Sequence, residues 1–91
     1  MPNTRVKFSE LDKIIGSVLK RLRTEAKMSQ TDVAKKLGIS FQQIQKYEVG
    51  SNRVSTATLI KLSEALGLMP VYVLDEIIIE VEEQEKHEET V

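Results

Sequence analysis

Apolar residues in the first part of the chain recur at intervals of three and four, which is the spacing of one face of an α-helix. Ser9 stands at the start of this segment and Asp12 follows three residues later, a pairing that predicts a capped helix start. We therefore predict a first helix over residues 10–27. Its buried stripe would consist of Leu11, Ile14, Ile15, Val18, Leu19 and Leu22.

The same punctuation, a serine followed by an amphipathic run, occurs three more times along the chain. It predicts helices over residues 30–37, 41–49 and 56–66, capped in turn by Ser29, Ser40 and Ser55. Glycines that tolerate the left-handed conformation of a helix end follow them: Gly38, Gly50 and Gly67. The apolar stripe of the helix 56–66 would consist of Leu59, Ile60, Leu62, Ser63 and Leu66.

Pro70 occupies a position typical of a first helical residue, so it predicts a short fifth helix over residues 70–74. The aromatic share of the chain is only 4%, so the core must be aliphatic, a composition that suits the packing of helices on helices. Connections of a few residues join these elements. The predicted fold is all-α, a compact five-helix bundle.

Residues 75–91 differ in composition from the rest of the chain. Their apolar positions fit a helical stripe (Leu74, Ile77, Ile78 and Val81) and also the alternation of a strand (Ile77, Ile79 and Val81). Three consecutive β-branched isoleucines favour a strand, but the segment is too short for its periodicity to decide. The chain is thus interpreted as a domain, residues 9–74, followed by a C-terminal extension, residues 75–91.

The net charge of −1 combines two unlike parts of the 91-residue chain. Residues 1–74 contain 12 Lys or Arg and 6 Asp or Glu, whereas residues 75–91 contain 8 Asp or Glu and Lys86 as their single cation. A basic body indicates a polyanionic partner, and an acidic tail could compete with that partner. The alternative is a solvated acidic terminus without a function.

Several classes of chemistry lack the residues they need. The chain has no cysteine, so disulfides, thiolate metal sites and cysteine nucleophiles are excluded. His87 is the single histidine and lies in the acidic tail, where a solvated side chain is more common than a metal ligand. We therefore expect no enzyme activity, no metal and no cofactor. Residues 1–10 carry no apolar stretch of signal-peptide length, and no run is long enough to span a membrane, so a cytoplasmic protein is expected.

The window 30–49 combines two short helices with a tight turn. Ala34 leaves room for a second helix to pass closely, and Gly38 supplies the turn that sets the angle between the helices. The apolar positions that would form their shared core are Val33, Leu37, Ile39, Ile44 and Tyr47. With its surroundings, SQTDVAKKLGISFQQIQKYEVGSNRVS, this window resembles the helix-turn-helix of the lambdoid phage repressor and Cro type, the XRE family. The resemblance covers roughly residues 14–74 and implies a lambda repressor-like DNA-binding domain.

In that family the second helix of the motif lies in the major groove, so the resemblance implies that residues 40–49 read DNA. The positions implied to face bases are Ser40, Phe41, Gln42, Gln45 and Lys46. The positions implied to contact the DNA backbone are Gln30, Gln43, Ser51, Asn52 and Arg53. Gln30 would also brace a residue of the recognition helix, and Arg23 and Glu48 match a partly buried structural salt bridge.

The chemistry of these side chains agrees with base reading, because a Gln amide matches adenine and a Lys ammonium matches the acceptors of guanine. The glutamines could instead be solvated helix formers, and Phe41 could contact a thymine methyl or tuck against the body. Residues 51–53 could grip phosphates or form an ordinary basic loop.

The sequence therefore predicts a sequence-specific regulator of transcription that binds double-stranded DNA, a repressor acting as a homodimer. Residues 75–82 are predicted to help build the dimer interface, either as paired strands or as an extension of the fifth helix. Residues 83–89 are predicted to remain outside as a mobile acidic segment. Two alternatives stay open: an antitoxin with a toxin partner, and a protein interaction module that does not bind DNA.

Overall fold

The computed structural model describes the backbone of residues 6–90 and the side chains of residues 6–86. Within that range the chain forms five α-helices and no strand, which confirms the predicted all-α bundle. The helices are α1 (Phe8–Glu25), α2 (Gln30–Leu37), α3 (Phe41–Val49), α4 (Thr56–Ala65) and α5 (Pro70–Thr90). None of the described helices combines the length and apolar composition that crossing a membrane would require.

Three of the four predicted serine caps are present. The hydroxyl oxygens of Ser29, Ser40 and Ser55 accept hydrogen bonds from backbone amides three residues further on, at 3.0 to 3.2 Å. At Ser29 the bond is reciprocated, because the Ser29 amide donates to the Asp32 carboxylate at 2.9 Å. The predicted side-chain caps of α2, α3 and α4 are thus confirmed.

The predicted cap at Ser9 is wrong. The helix α1 begins at Phe8, and its N-cap residue, Lys7, makes no side-chain cap hydrogen bond. Val6 is buried in the core, so the chain turns directly after it and the helix starts ahead of the serine. The helix also ends at Glu25 rather than at residue 27, because Lys27 adopts a left-handed conformation with φ of 58°.

The fifth helix begins at Pro70 as predicted but is longer than expected, because α5 continues through residues 75–82 to Thr90, the helical alternative for this segment. A strand would leave its backbone without a partner here, whereas a helix places three apolar residues on one face. Val73, Ile77 and Val81 are 0 to 5% exposed in the hydrophobic core, and α5 packs along α1. This packing overrides the strand propensity of the isoleucines.

Residues 75–82, which we predicted to pack against a second copy of the chain, therefore complete the core of their own chain. Ile77 and Val81 are buried within the chain itself, against a core that also contains Ile14, Val18 and Leu22 of α1. An exposed ion pair, Arg21 Nη2 to Glu76 Oε1 at 3.0 Å, adds a polar link between α1 and α5 and raises the pKa of the Arg21 guanidinium.

One predicted core position of α4 is wrong: Ile60 is 42% exposed. Ser63, in contrast, is fully buried, and its hydroxyl donates to the carbonyl oxygen of Leu59 at 2.7 Å. The serine satisfies its own polar group inside the helix, so it occupies a core position at little cost.

Candidate nucleic-acid interface

A tight turn at Gly38 sets the angle between α2 and α3. Gly38 has a left-handed conformation, with φ of 71° and ψ of 32°, which a residue with a Cβ rarely adopts. The Ile39 amide donates to the carbonyl of Ala34 at 3.1 Å and closes the end of α2. Val33, Ala34 and Ile44 are buried between the two helices. The turn and this small core hold α3 in a single orientation.

The outer face of α3 carries polar side chains. Gln42, Gln45 and Lys46 are exposed at positions i, i+3 and i+4 of the helix, so they share one face. Phe41, at the start of the helix, is 42% exposed, and Gln43 is half-buried. We call Gln42, Gln45 and Lys46 the polar row.

Ser40 has a structural task at this surface. Its hydroxyl oxygen accepts the Gln43 amide at 3.2 Å, and its O–H remains available to donate. Ser40 therefore caps the helix from the edge of the polar row.

A shallow concavity of about 530 Å³ adjoins the polar row. Its lining residues are Lys20, Gln30, Gln42, Gln45, Lys46, Glu48 and Val49. Lys20 belongs to α1 and was missed by the sequence analysis. It lies three residues before Arg23, but only the crossing of α1 and α3 places it beside the polar row.

Arg23, Glu48 and Gln30 form one hydrogen-bonded group behind the polar row. Arg23 Nε and Nη2 donate to the two carboxylate oxygens of Glu48 at 2.6 and 3.1 Å, and Gln30 Nε2 donates to Glu48 Oε1 at 2.9 Å. The side chains of Arg23 and Glu48 are 13% and 5% exposed. The hydrogen bonds to Glu48 raise the pKa of Arg23 and outweigh its partial burial. The group links α1, α2 and α3.

The carboxylate of Asp32 stabilises the first turn of α2. Hydrogen bonds from Ser29 lower the pKa of Asp32 below its ordinary value. A lowered pKa means that this contribution to stability is present at neutral pH and is lost as the pH falls through the lowered value. At neutral pH the ionised Asp32 therefore stabilises the start of α2, which carries Gln30.

The loop after α3 folds back on the helix end. Gly50 has φ of 81°, and the amides of Ser51 and Asn52 donate to the carbonyl of Lys46 at 3.0 and 3.3 Å. The side chains of Ser51, Asn52 and Arg53 are exposed. The structure therefore brings the predicted backbone-contacting loop to the end of the polar row.

Arg53 is not a free surface cation. Its Nε and Nη2 donate to the carboxylate oxygens of Asp12 at 3.1 and 3.3 Å, and its guanidinium carbon lies 5.2 Å from the centroid of the Phe8 ring. Asp12 was expected to help cap α1, and it serves this contact instead. The pairing of residues 41 positions apart has no local signal in the sequence.

The side chain of His87, predicted to be solvated, lies outside the described residues. The predicted mobile acidic segment 83–89 is wrong over its described side chains, 83–86, because they belong to α5 and Glu85 is buried. Among the side chains of residues 6–86, no group of His, Cys, Asp and Glu converges in a way that could hold a metal ion.

Residues 19–73 match the family model described as helix-turn-helix. An HTH-type transcriptional regulator of Sinorhizobium fredii is 35% identical over 83 residues, which cover 91% of this chain and 58% of that protein. The chain spans about half the length of the curated relatives it matches.

Two kinds of solved structure share the architecture. The clp gene regulator ClgR from Corynebacterium glutamicum is similar in fold, with a TM-score of 0.81 at 24% identity, over 88% of this chain and 85% of that one. The restriction-modification controller protein C.Esp1396I, solved as a tetramer with its natural 35 base-pair operator, has a TM-score of 0.73 at 25% identity, over 84% of this chain and 97% of that one. The motif, the five helices and the matched family model lead to one conclusion: the chain belongs to the XRE-type helix-turn-helix family of transcriptional regulators.

Proposed function

We propose that this chain represses transcription as a homodimer that binds a specific double-stranded DNA site with α3 in the major groove. The observation that carries the proposal is the polar row, which stands on a helix fixed from behind by the group of Arg23, Glu48 and Gln30. A rigid reading helix loses little conformational entropy when it binds.

The size and chemistry of α3 suit the major groove. An α-helix with its side chains is about 10 to 12 Å in diameter, and the major groove is about 12 Å wide, so α3 can lie within it. Gln42 and Gln45 can each donate to and accept from adenine, and Lys46 can donate to guanine. Ser40 offers its hydroxyl at the helix start, and the exposed Phe41 ring suits contact with a thymine methyl.

The surrounding residues supply backbone contacts in this proposal. Gln30 at the start of α2 and Gln43 within α3 are half-buried, and Ser51, Asn52 and Arg53 follow the end of α3. We add Lys20, because it lines the same concavity as the polar row. Contacts of this kind provide affinity that depends on salt, without reading sequence.

We propose that the homodimer forms through α5, by Ile78 of the predicted segment 75–82 together with residues that precede this segment. Ile77 and Val81 are buried within the chain, whereas Val71 and Leu74 are 67% and 46% exposed and Ile78 is half-buried. Val71, Leu74 and Ile78 are spaced i, i+3 and i+7, so they share one face. A second copy is the occupant that fits a DNA-bound regulator, since a dimer reads two half-sites about 34 Å apart. The tetrameric state of C.Esp1396I on its operator supports association on DNA.

In this proposal the bound dimer represses transcription by excluding other proteins from its site. No feature of residues 6–86 favours a toxin as partner. A protein interaction module without DNA binding would not account for the polar row.

Selection of DNA fragments from a random pool by the purified protein tests the proposal: enrichment of a two-fold symmetric site is expected, and an unenriched pool would refute it.

The first prediction concerns base reading. Gln42→Ala and Lys46→Ala should each weaken binding to the selected site by about 1 to 3 kcal/mol. Gln42→Ala should leave binding to random DNA nearly unchanged. Titration of both DNAs by fluorescence anisotropy measures the two affinities.

Matched controls lie on other faces of the molecule. Gln84→Ala on α5 and Lys61→Ala on α4 remove the same exposed side-chain types away from the polar row. Both should retain the preference for the selected site. Equal losses on specific and random DNA for Gln42→Ala would show that the residue does not read bases.

The second prediction concerns the dimer. Leu74→Glu should raise the dimer dissociation constant at least about tenfold, because burial of a leucine contributes about 1.5 to 3 kcal/mol and the symmetric contact contains it twice. Sedimentation velocity over a range of concentrations measures this change.

Ile79→Glu is the matched control, because Ile79 is also 46% exposed but lies on a different face of α5. Truncation after Leu74 is unsuitable, since it removes Ile77 and Val81 from the core. If Leu74→Glu and the unaltered protein dissociate alike, α5 does not form the interface.

A further inference from the structure

The N-terminal part of α1 meets the loop after α3 at Arg53. Asp12 accepts hydrogen bonds from Nε and Nη2 of the guanidinium, and the guanidinium carbon lies over the Phe8 ring, 5.2 Å from its centroid. The Asp12 side chain is 13% exposed and the Arg53 side chain 63% exposed. The carboxylate is thus set into the body, and the guanidinium projects outward from it.

The backbone beneath Arg53 is held against the same part of α1. A Cβ on Gly50 would lie 2.8 Å from both Cα and N of Lys13, so the loop and α1 are in direct contact there. Movement of this loop relative to α1 would break the contact between Gly50 and Lys13. The loop that carries Arg53 is therefore packed against α1 at Gly50, three residues before the arginine, and the guanidinium is held by Asp12.

Arg53 keeps donors for a further partner. A guanidinium has five N–H bonds, and the contact with Asp12 uses one on Nε and one on Nη2. Three N–H bonds point elsewhere, including both on Nη1. A phosphate oxygen can approach this outer edge while the carboxylate holds the inner edge.

We propose that Asp12 and Phe8 are positioning residues that orient Arg53 toward a phosphate of the bound DNA. The proposal rests on the proposed function, since it requires that α3 and its following loop contact DNA. Asp12 is negatively charged and would by itself repel DNA, so its presence at this surface is explained by what it does to Arg53. The N-terminal part of α1 thereby becomes part of the DNA-binding apparatus.

The reference measurement is Arg53→Ala. It should weaken binding to specific and random DNA alike and reduce the slope of log affinity against log salt by about one phosphate contact. If neither changes while Gln42→Ala weakens binding to the selected site as predicted, Arg53 does not contact DNA and the positioning proposal fails, but the proposed function stands. If no variant affects DNA binding, the proposed function fails as well.

Phe8→Ala tests positioning without altering charge. Phe8 is 74% exposed, so its removal leaves the core intact. The variant should weaken DNA binding about two- to fivefold, the value of an exposed cation–π contact. In the Arg53→Ala background the same change should have no effect. An equal loss in both backgrounds, or no loss in either, would overturn the proposal.

Asp12→Asn provides a second test, in which the sign of the effect is diagnostic. With Arg53 present, the variant should bind DNA up to about fivefold more weakly, because the guanidinium loses its orienting partner. In the Arg53→Ala background it should bind more tightly, because one negative charge is gone from the surface.

Glu10→Gln is the control for charge, since it neutralises a nearby carboxylate of α1 that makes no contact with Arg53 among the described residues. It should strengthen DNA binding in both backgrounds. Circular dichroism below the thermal midpoint verifies that every variant is folded. If Asp12→Asn strengthens binding in both backgrounds as Glu10→Gln does, Asp12 acts only through its charge and does not position Arg53.

Discussion

Gly16→Ala is expected to destabilise the protein and displace the reading helix, although alanine is normally favoured over glycine inside a helix by about 1 kcal/mol. A Cβ at this position would collide with the carbonyl oxygens of Tyr47 and Glu48 and would lie 2.7 Å from the carbonyl carbon of Glu48. These are backbone atoms, so no side-chain rotation relieves the collision. Overpacking of this kind costs about 1 to 3 kcal/mol, and separating two helices brings the cost to the upper end.

Thermal unfolding and DNA titration together test this expectation. The thermal midpoint should fall, and the folded fraction should bind the selected site more weakly because the end of α3 has moved. Ser17→Ala is the matched control, since Ser17 is the next residue of α1 and is exposed. A midpoint for Gly16→Ala at or above that of the unaltered protein would show that α1 and α3 have room to spare.

The importance of Gly16 shows why α1 belongs to the site. Gly16, Lys20 and Arg23 follow one another at helical intervals of four and three, so all three face α3. The glycine lets the helices touch, the lysine borders the polar row, and the arginine binds Glu48. The scaffold and the reading surface are therefore built from the same face of one helix.

Helix starts were predictable where their chemistry is local. A serine hydroxyl and an amide three residues later need no distant partner, and so Ser29, Ser40 and Ser55 could be recognised as caps. Ser9 could not be judged in the same way, because the burial of Val6 determines where α1 begins. Tertiary packing decided that helix start.

The fate of residues 75–82 depended on tertiary structure as well. Their apolar residues satisfy the helical and the strand period alike, and the choice was made by the surface of α1 against which Ile77 and Val81 pack. A single sequence contains both patterns but not the shape of the neighbouring helix.

The residues of the candidate site also fall into two groups, those predictable from local sequence and those brought in by tertiary packing. The polar row lies within one helix, so its spacing and the resemblance of the motif were sufficient to predict it. Lys20 and Asp12 reach the site from α1, across 22 and 41 positions of chain from Gln42 and Arg53. Periodicity gives no information about such long-range neighbours.

Glu48→Ala is expected to lower the free energy of unfolding by about 3 to 5 kcal/mol, a large part of the roughly 5 to 15 kcal/mol available to a domain. The carboxylate accepts two hydrogen bonds from Arg23 and one from Gln30. Without it, a guanidinium that is only 13% exposed keeps its charge but loses its counter-ion. The thermal midpoint should therefore fall by about 10 °C or more.

Two further variants separate the stranded charge from other effects of the substitution. Glu64→Ala removes an exposed carboxylate from α4 and should leave the midpoint nearly unchanged. Arg23→Met in the Glu48→Ala background removes the unpaired cation while retaining an apolar side chain, so it should recover part of the loss. Recovery is expected to be incomplete, because Arg23 Nη1 also donates to the carbonyl of Met28 at 2.9 Å. If Glu48→Ala keeps the midpoint of the unaltered protein yet fails to bind DNA, the carboxylate serves the DNA interface directly, and its assignment to the scaffold is wrong.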